Sequence, residues 1–458
     1  MQLEQELLHL GIAELHMEYK KRTISPVEVT ELLYKRIENH RDLNAFITLC
    51  KDDALEQARH AEKLYKNNDS NSMLLGIPIG LKDLIHTKGI KTTMASGVYQ
   101  DFIPNEDAAL VKTLLNMGSI LIGKQNLHEL AYGTTGDDSY FGPTRNPHDS
   151  SKIAGGSSSG SAAATAAQLC WGSIGTDTSG SIRIPASICG VVGMKPTYGK
   201  LDLEGIHPLS WTMDHVGLIT RTVTDNAILY DGLCGTLGTS DSIYKKLATG
   251  ILPKISSFKI GIPTDYYVDL DPEVEARLMK MMNHLENLGY TVVEVDLNLP
   301  DMNETMYISS AIDQAEAYLI NREIVHEDSN DLGEETRKRI LIGAKYKAYE
   351  FLLAQELKVK LSKTFEKAFQ DVNVLLTPTI PILPPEFGQE TVHIHGKTHN
   401  VRQALMRLTF ISNYIGVPSI SIPCGKSTEG LPIGMQLIGG CNQEEMLYQS
   451  AYLIDNAL

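Results

Sequence analysis

Gly155-Gly-Ser-Ser-Ser-Gly-Ser-Ala-Ala-Ala-Thr-Ala166 and, shortly after it, Gly175-Thr-Asp-Thr-Ser-Gly-Ser-Ile-Arg-Ile-Pro185 form the most informative stretch of the chain. Two Gly/Ser-rich loops flank an Ala-rich segment, which is a strong helix former and unlike a flexible linker. Gly lets backbone N–H groups turn toward a ligand at little conformational cost. A Ser beside such a loop can act as a nucleophile whose oxyanion is bound by those N–H groups. The stretch therefore predicts a buried, tightly packed segment with catalytic potential.

Composition and net charge narrow the class of protein. The 458-residue chain is 42% hydrophobic and 21% charged, values typical of a soluble globular protein, and its net charge is −15. An acidic balance opposes binding to a phosphate backbone, so we expect no nucleic-acid partner. The uncharged segment 153–176 is rich in Gly, Ser and Ala rather than Leu, Ile and Phe, so we expect no membrane span.

The cysteines and the N-terminal segment bear on the cellular compartment. Six cysteines form no C-x-x-C pair and no metal-ligand spacing, as is typical of free thiols in a reducing compartment. The first residues, 1–8, are acidic and lack the basic and apolar regions of a signal peptide. The sequence therefore predicts a cytoplasmic protein.

Helix and strand patterns alternate along the chain without an internal repeat. This alternation predicts an α/β fold with a large central mixed β-sheet and helices on both faces. We expect one domain over 1–458, made of an N-terminal helical arm (1–70), a catalytic core (71–234) and the rest of the sheet with the substrate-pocket helices (235–458). The helices within 2–66 are a candidate contact of a homodimer.

Segments outside the central stretch also bear on a site. The strand pattern Gly76-Ile-Pro-Ile-Gly-Leu-Lys82 ends in a charge, and a buried Lys loses its proton readily because desolvation disfavours the ammonium form. A neutral Lys82 would be a base.

Farther along, two long helices are predicted at about 303–327 and 333–370.

The motifs of the chain indicate neither a cofactor nor a metal. The chain contains no phosphate-binding P-loop and no G-x-G-x-x-G between a strand and a helix. His393, His395 and His399 alternate as on one face of a hairpin strand, but no acidic partner or H-E-x-x-H accompanies them. We therefore expect no cofactor and no metal site.

One segment matches the nucleophile elbow of an α/β-hydrolase. Gly156-Ser-Ser158-Ser-Gly160 fits G-x-S-x-G, which would make Ser158 the nucleophile of a Ser-His esterase. The elbow requires a buried strand directly before it, and residues 149–154 supply no such pattern. The esterase remains an alternative that depends on Ser158.

Several longer motifs occur together in order and spacing. They are Gly76-Ile-Pro-Ile-Gly-Leu-Lys-Asp83, Phe141-Gly-Pro-Thr-Arg-Asn-Pro147, Gly155-Gly-Ser-Ser-Ser-Gly-Ser-Ala-Ala-Ala164, Gly175-Thr-Asp-Thr-Ser-Gly-Ser-Ile-Arg-Ile-Pro-Ala186, Gly190-Val-Val-Gly-Met-Lys-Pro-Thr197 and Leu431-Pro-Ile-Gly-Met-Gln-Leu-Ile-Gly439. With them the chain strongly resembles the amidase signature family of serine hydrolases over nearly its whole length. The resemblance implies the amidase signature fold and hydrolysis of a linear carboxylic amide through an acyl-enzyme.

The resemblance also implies roles for single residues. Ser181 falls on the family's acyl-forming nucleophile, Ser157 on the Ser that bridges nucleophile and base, and Lys82 on the general base. Neutral Lys82 would take a proton from Ser157, which takes one from Ser181, in a Ser-Lys variant of triad chemistry. The oxyanion hole falls on the backbone N–H groups of Thr178, Ser179, Gly180 and Ser181.

Some positions carry further expectations from the family pattern. The bridging Ser follows a cis peptide bond in the family, which here is Gly156–Ser157. Ser159 and Ser179 stand where many members have Gly, and either would be strained if its position requires a positive φ. Since nucleophile, bridge and base are intact, we expect activity.

The family includes stand-alone amidases and the A subunit of glutamyl-tRNA(Gln) amidotransferase. The regions 314–318 and 343–349 lack motifs of the amidotransferase protein, and the Asp expected a few residues before Thr409 appears as Met406, Arg407 or Leu408. We therefore favour a stand-alone amidase, with the amidotransferase subunit kept as the alternative.

The substrate is expected to be a small-molecule amide. The resemblance puts its pocket in the family's variable regions, around Tyr132, Gly133 and Thr134 and within 300–350 and 400–415. Aliphatic, aryl, ureide and peptide amides all remain open.

Overall fold

The computed structural model describes residues 2–255, 258–326 and 330–457. Both ends of the predicted 1–458 domain, and residue 327 at the predicted end of one helix, lie outside the described residues. Within these ranges, no helix is long and apolar enough to cross a bilayer.

The strands in the described ranges form two sheets. Eleven strands form one large sheet, and the other two form a separate hairpin. They are β1 (Phe46–Leu49), β2 (Pro78–Lys82), β3 (Ile120–Gln125), β4 (Gly172–Asp177), β5 (Val192–Lys195), β6 (His215–Thr220), β7 (Lys259–Pro263), β8 (Thr291–Val295), β9 (Val374–Pro378), β10 (Thr391–Ile394), β11 (Lys397–Asn400), β12 (Ser419–Lys426) and β13 (Pro432–Ile438).

Helices flank the sheet. They are α1 (Gln2–His9), α2 (Ile12–Lys21), α3 (Pro26–Asn39), α4 (Lys51–Lys66), α5 (Ala109–Asn116), α6 (Ser159–Ala166), α7 (Arg183–Cys189), α8 (Val223–Cys234), α9 (Ile243–Ala248), α10 (Pro272–Asn287), α11 (Met302–Asn321), α12 (Glu334–Gly343), α13 (Ala348–Ala368), α14 (Val401–Met406), α15 (Phe410–Tyr414) and α16 (Glu444–Asp455).

The large sheet has the order β1-β3-β2-β4-β6-β5-β12-β13-β9-β7-β8 and mixes parallel with antiparallel pairs. This confirms the predicted α/β fold with a central mixed sheet. Antiparallel pairing of β5 with β12 joins the strands of 71–234 to those of 235–458. A single sheet through both segments supports our proposal of one domain.

Two neighbouring parallel strands bring the predicted base to the central stretch. β2 ends at Lys82, and its neighbour β4 ends at Asp177, with Leu81 opposite Ile174. Because the carboxyl ends of parallel strands meet at one edge of a sheet, the residues that follow β4 lie next to the Lys82 side chain. The fold thus places the two candidate segments together although about 100 residues separate them in sequence.

The Ala-rich helix α6 packs against the sheet at close range. Its residues are buried from Ser159 to Thr165. A Cβ atom at Gly160 would lie 2.3 Å from the carbonyl oxygen of Ala45, so only Gly fits there. Small side chains along this helix therefore let its backbone approach the strands that carry the candidate base.

The long helices predicted after residue 300 differ from the structure. The first ends at Asn321, before the predicted residue 327. The second, predicted over 333–370, is two helices, because α12 ends at Gly343 and α13 begins after Lys347. The Glu350 carboxylate accepts from the backbone N–H of Lys347 at 2.8 Å, which caps the start of α13.

Candidate active site

Lys82 is buried at the end of β2 and faces two hydroxyls. It has no solvent exposure, and its Nζ donates to Ser157 Oγ at 2.7 Å and to Thr176 Oγ1 at 2.9 Å. Burial lowers the Lys82 pKa to about 7, against the opposing pull of the Asp177 and Asp214 carboxylates. A large share of Lys82 is therefore neutral near pH 7, and the neutral amine can accept the Ser157 proton.

Ser157 lies in a tight loop in which the backbone is closely packed. The Gly156–Ser157 peptide bond is cis, which confirms the expectation from the family pattern. A Cβ atom at Gly156 would lie 2.9 Å from the carbonyl oxygen of Gly133, so a side chain does not fit there. The carbonyl of Ser157 accepts from the N–H of His128 at 3.0 Å, which anchors the loop.

Ser181 opens onto a cavity beside this loop. It is 6% exposed and lines the cavity, whose volume is about 60 Å³. Its carbonyl oxygen accepts from the N–H of Ser158 at 3.2 Å, which ties the segment to the Ser157 loop. Among the described contacts no hydrogen bond joins the Ser157 and Ser181 hydroxyls, and such bonds often tighten only when substrate binds.

One of the four N–H groups predicted for the oxyanion hole makes a hydrogen bond within the loop before Ser181. Gly180 N–H donates to Asp177 Oδ1 at 2.7 Å. Gly180 does not line the cavity, whereas Thr178, Ser179 and Ser181 do. The bond to a buried carboxylate disfavours the Gly180 N–H as an oxyanion donor, and the oxyanion hole stays a prediction.

Asp214, a residue that the motifs did not single out, holds the loop from its other side. Its Oδ1 accepts from Thr178 Oγ1 at 2.6 Å, and its Oδ2 accepts from the N–H groups of Leu209 and Ser210 at 2.8 and 3.0 Å. Burial raises the Asp214 pKa to about 6 in spite of these donors. Asp214 precedes β6, whose His215 pairs with Asp177, so sheet register places it beside Thr178.

A buried ion pair braces the nucleophile segment. Arg183 Nε donates to Asp177 Oδ2 at 3.0 Å, and Arg183 Nη1 donates to Gln436 Oε1 at 2.6 Å. Asn413 Nδ2 donates to Asp177 Oδ1 at 2.9 Å. Burial alone would raise the Asp177 pKa, but the Arg183 guanidinium outweighs it and holds that pKa well below its usual value. The network fixes both ends of the turn that carries Ser181.

Replacing Arg183 by Met should lower the free energy of unfolding by about 3–5 kcal/mol, because Asp177 would remain buried without its cation. Urea unfolding followed by circular dichroism measures the loss. Arg41→Met is the control, since Arg41 pairs with Glu38 at the surface with 73% of its side chain exposed, and we expect no measurable change there. Equal stability of the two variants would contradict a bracing role for Arg183.

The predicted pocket residues line the cavity beside Ser181. Tyr132, Gly133 and Thr134 are all among its lining residues. Residues within 306–314 and 402–410, in the two predicted variable regions, also line this cavity. The structure therefore brings the predicted nucleophile and the predicted pocket residues to one cavity, while their role in substrate binding stays a prediction.

Ser158 is engaged by the backbone and buried. Its hydroxyl donates to the carbonyl of Thr176 at 3.1 Å, and it has no solvent exposure. α6 begins directly after it, at Ser159, and no strand precedes it within 149–157. The strand–turn–helix geometry of a nucleophile elbow is therefore missing at Ser158, which disfavours the esterase alternative.

The two Ser residues at family Gly positions are accommodated. Neither Ser159 nor Ser179 is among the residues with positive φ. The Ser159 hydroxyl donates to Thr144 Oγ1 at 3.1 Å. The backbone strain that a positive φ would bring therefore does not occur at these positions.

Comparison with known proteins identifies the family to which this chain is similar. The family model described as Amidase matches residues 28–448. The chain is 38% identical to a curated protein from Geotalea daltonii that is named as the A subunit of glutamyl-tRNA(Gln) amidotransferase, covering 98% of this chain and 97% of that protein.

Two solved structures share the fold across almost the whole chain. A structure described as an amidase superposes with a TM-score of 0.90 at 30% identity, covering 98% of this chain and all of the other. The A subunit of the glutamyl-tRNA(Gln) amidotransferase from Thermotoga maritima superposes with a TM-score of 0.77, also at 30% identity, covering 97% of this chain and 93% of the other. The chain therefore belongs to the amidase signature family of amide-hydrolysing enzymes.

Proposed function

We propose that this chain hydrolyses a linear carboxylic amide to the acid plus ammonia or an amine, through an acyl-enzyme on Ser181. The observation that carries the proposal is the 2.7 Å contact between Lys82 Nζ and Ser157 Oγ, in a site where burial lowers the Lys82 pKa to about 7. A base with a pKa near the working pH is suited to proton transfer.

In the proposed mechanism, neutral Lys82 accepts the Ser157 proton while Ser157 accepts the Ser181 proton. Ser181 Oγ then attacks the amide carbonyl carbon and forms a tetrahedral oxyanion. Ser157 gives a proton to the leaving nitrogen and takes one back from Lys82, the C–N bond breaks, and ammonia or the amine departs. Water then attacks the acyl carbonyl carbon and gives a proton to Ser157, while Ser157 passes its own proton to Lys82. When the second tetrahedral oxyanion collapses, the bond to Ser181 Oγ breaks, Ser157 protonates that oxygen, and Lys82 returns the proton to Ser157, which releases the acid and restores the free enzyme.

The oxyanion donors proposed here are the backbone N–H groups of Thr178, Ser179 and Ser181, three residues that line the cavity. Each such donor is worth roughly 3–4 kcal/mol in comparable hydrolases. Gly180 contributes indirectly, because its N–H bond to Asp177 holds the turn in shape.

A second candidate is the amidotransferase subunit, which the name and 38% identity of the Geotalea daltonii protein favour. Two observations support the hydrolase instead. The fold is nearer to the structure described as an amidase than to the Thermotoga maritima protein, with TM-scores of 0.90 and 0.77. Among 406–408, Met406 lines the cavity, so an apolar side chain stands there where the amidotransferase pattern has Asp.

A panel of amides incubated with the purified chain distinguishes the two candidates. Ammonia release from amides other than glutamine, lost in Ser181→Ala, is the result expected of a self-contained amidase. Turnover confined to glutamine would favour the amidotransferase. Aliphatic, aryl, ureide and peptide amides belong in the panel because the sequence does not choose among them.

A further inference from the structure

A larger outer cavity adjoins the cavity beside Ser181. Its volume is about 930 Å³. The two cavities share the lining residues Tyr132, Met306, Ser310, Gln314, Arg402 and Met406. Arg402 therefore lies at the junction between the outer cavity and the nucleophile.

The Arg402 guanidinium is held in place but has an unused donor. Its Nη2 donates to the carbonyl of Tyr132 at 3.3 Å, and the guanidinium lies 5.7 Å from the centroid of the Tyr132 ring. Arg402 Nε and the Tyr132 hydroxyl are both buried without a hydrogen-bond partner in the described part of the chain. Buried donors without partners are costly, so these are groups that a ligand would satisfy.

A second guanidinium converges on the same carbonyl. Arg339 Nη1 donates to the carbonyl of Tyr132 at 2.9 Å and contacts His128 Nε2 at 3.3 Å. The contacts of Arg339 and Arg402 within the described ranges include no hydrogen bond to a carboxylate. Burial, and then repulsion by Arg339, lowers the Arg402 pKa to about 10, so the guanidinium remains charged near pH 7. An anion bound here would relieve that repulsion.

Asp313, an acidic residue in the cavity beside Ser181, offsets the charge of Arg402 only in part. Asp313 and Arg402 are the charged residues among the described lining of that cavity. Burial raises the Asp313 pKa to about 7, against the pull of Arg402. Near pH 7 much of Asp313 is therefore protonated while Arg402 keeps its charge. The outer cavity also has carboxylates in its lining, namely Asp137, Asp138, Glu334, Glu335 and Glu390.

We propose that the substrate amide carries a carboxylate and that Arg402 binds it, an inference that rests on amide hydrolysis at Ser181. A guanidinium presents planar donors that match the two oxygens of a carboxylate, and the Tyr132 hydroxyl supplies a further donor. The substrate class is the monoamides of dicarboxylic acids and their derivatives. Arg402 acts on substrate choice and does not touch the reacting atoms.

Matched pairs of amides test the inference. Succinamate, glutaramate and adipamate are compared with the neutral amides of equal chain length, so that the carboxylate is the only difference. We expect the carboxylated member of at least one pair to have the higher kcat/KM. Arg402→Met should raise its KM about tenfold or more and raise the KM of the neutral partner by a smaller factor, so that the preference for the carboxylated amide is lost.

Two further variants complete the test: one separates the charge of Arg402 from its shape, and the other is a control for the loss of a nearby cation. Arg402→Lys keeps the charge and should recover part of the KM. Lys397→Met removes an exposed cation that pairs with Asp269 at 2.9 Å, close in sequence to Arg402, and should leave the preference unchanged. Equal KM values in the wild type and Arg402→Met for every carboxylated amide would overturn the inference.

Binding without turnover separates this inference from the proposed function. Calorimetric titration of glutaramate into Ser181→Ala, and into Ser181→Ala with Arg402→Met, should show about tenfold or more weaker binding in the double variant. Arg402-dependent binding with no amide turnover in the wild type would contradict the proposed hydrolysis and support carboxylate binding by Arg402. Ser181-dependent turnover without a carboxylate preference would do the opposite.

Discussion

Replacing Ser181 by Ala is expected to lower kcat/KM for the amide substrate by on the order of 10⁴-fold or more, because only binding and the oxyanion donors remain after a nucleophile is removed. The KM should change little, since the side chain loses one oxygen at the wall of the cavity. Initial rates of ammonia release measure the effect, and circular dichroism checks the fold.

Ser158→Ala is the matched control for that variant. Ser158 lies in the neighbouring loop and donates to the carbonyl of Thr176, so its loss removes one hydrogen bond and should cost about tenfold or less. If Ser158→Ala were inactive and Ser181→Ala active, the nucleophile elbow of an esterase would replace the proposed mechanism.

Replacing Lys82 by Met should lower kcat/KM on the order of 10³-fold, within the range that a positioned base contributes. In the wild type, kcat/KM should rise with pH through about 7, because burial lowers the Lys82 pKa to that value and the neutral amine is the base. A pH profile from about 5 to 9 measures both effects. Lys82→Arg retains a positive charge that does not titrate in this range, so it should be inactive throughout.

Two carboxylic acids near the site titrate in the same range and need a control. Burial raises the pKa of Asp313 to about 7 and that of Asp214 to about 6. Asp313→Asn should keep the rising limb if Lys82 is the base. Loss of the limb in Asp313→Asn, with an unchanged limb in a still active Lys82→Met, would assign the titration to Asp313. Buried His128 and His215 do not interfere, since burial lowers the pKa of each well below its usual value.

The fold class was predictable because apolar strand patterns alternate with helices, but several central strands carry no such pattern. β4 reads Gly-Ser-Ile-Gly-Thr-Asp and lacks β-branched alternation. The structure explains its composition, because a Cβ atom at Gly175 would lie 2.8 Å from Ser158 Oγ and one at Gly172 would lie 2.5 Å from Leu229 Cδ1. Close packing on both faces selects small residues here and removes the signal that strand prediction uses.

The same contrast holds for the site. Some of its residues lie within family motifs, whereas others come close to them only in the folded chain. Lys82 and Ser157 were predicted from family motifs, and the structure brings their side chains to 2.7 Å. Arg402 and Asp313 were not predicted individually, because α14 and α11 are far from the motifs in sequence and meet them only in the cavity. The engagement of Gly180 by Asp177 depends on backbone direction, which residue identity does not reveal.

Covalent labelling with a fluorophosphonate tests the central claim most directly. The wild type and Lys82→Met are treated in parallel, and the adduct is located by peptide mass spectrometry. The proposed mechanism predicts an adduct on Ser181 that forms much more slowly without Lys82. An adduct on Ser158, or equal labelling rates in the two proteins, would contradict it.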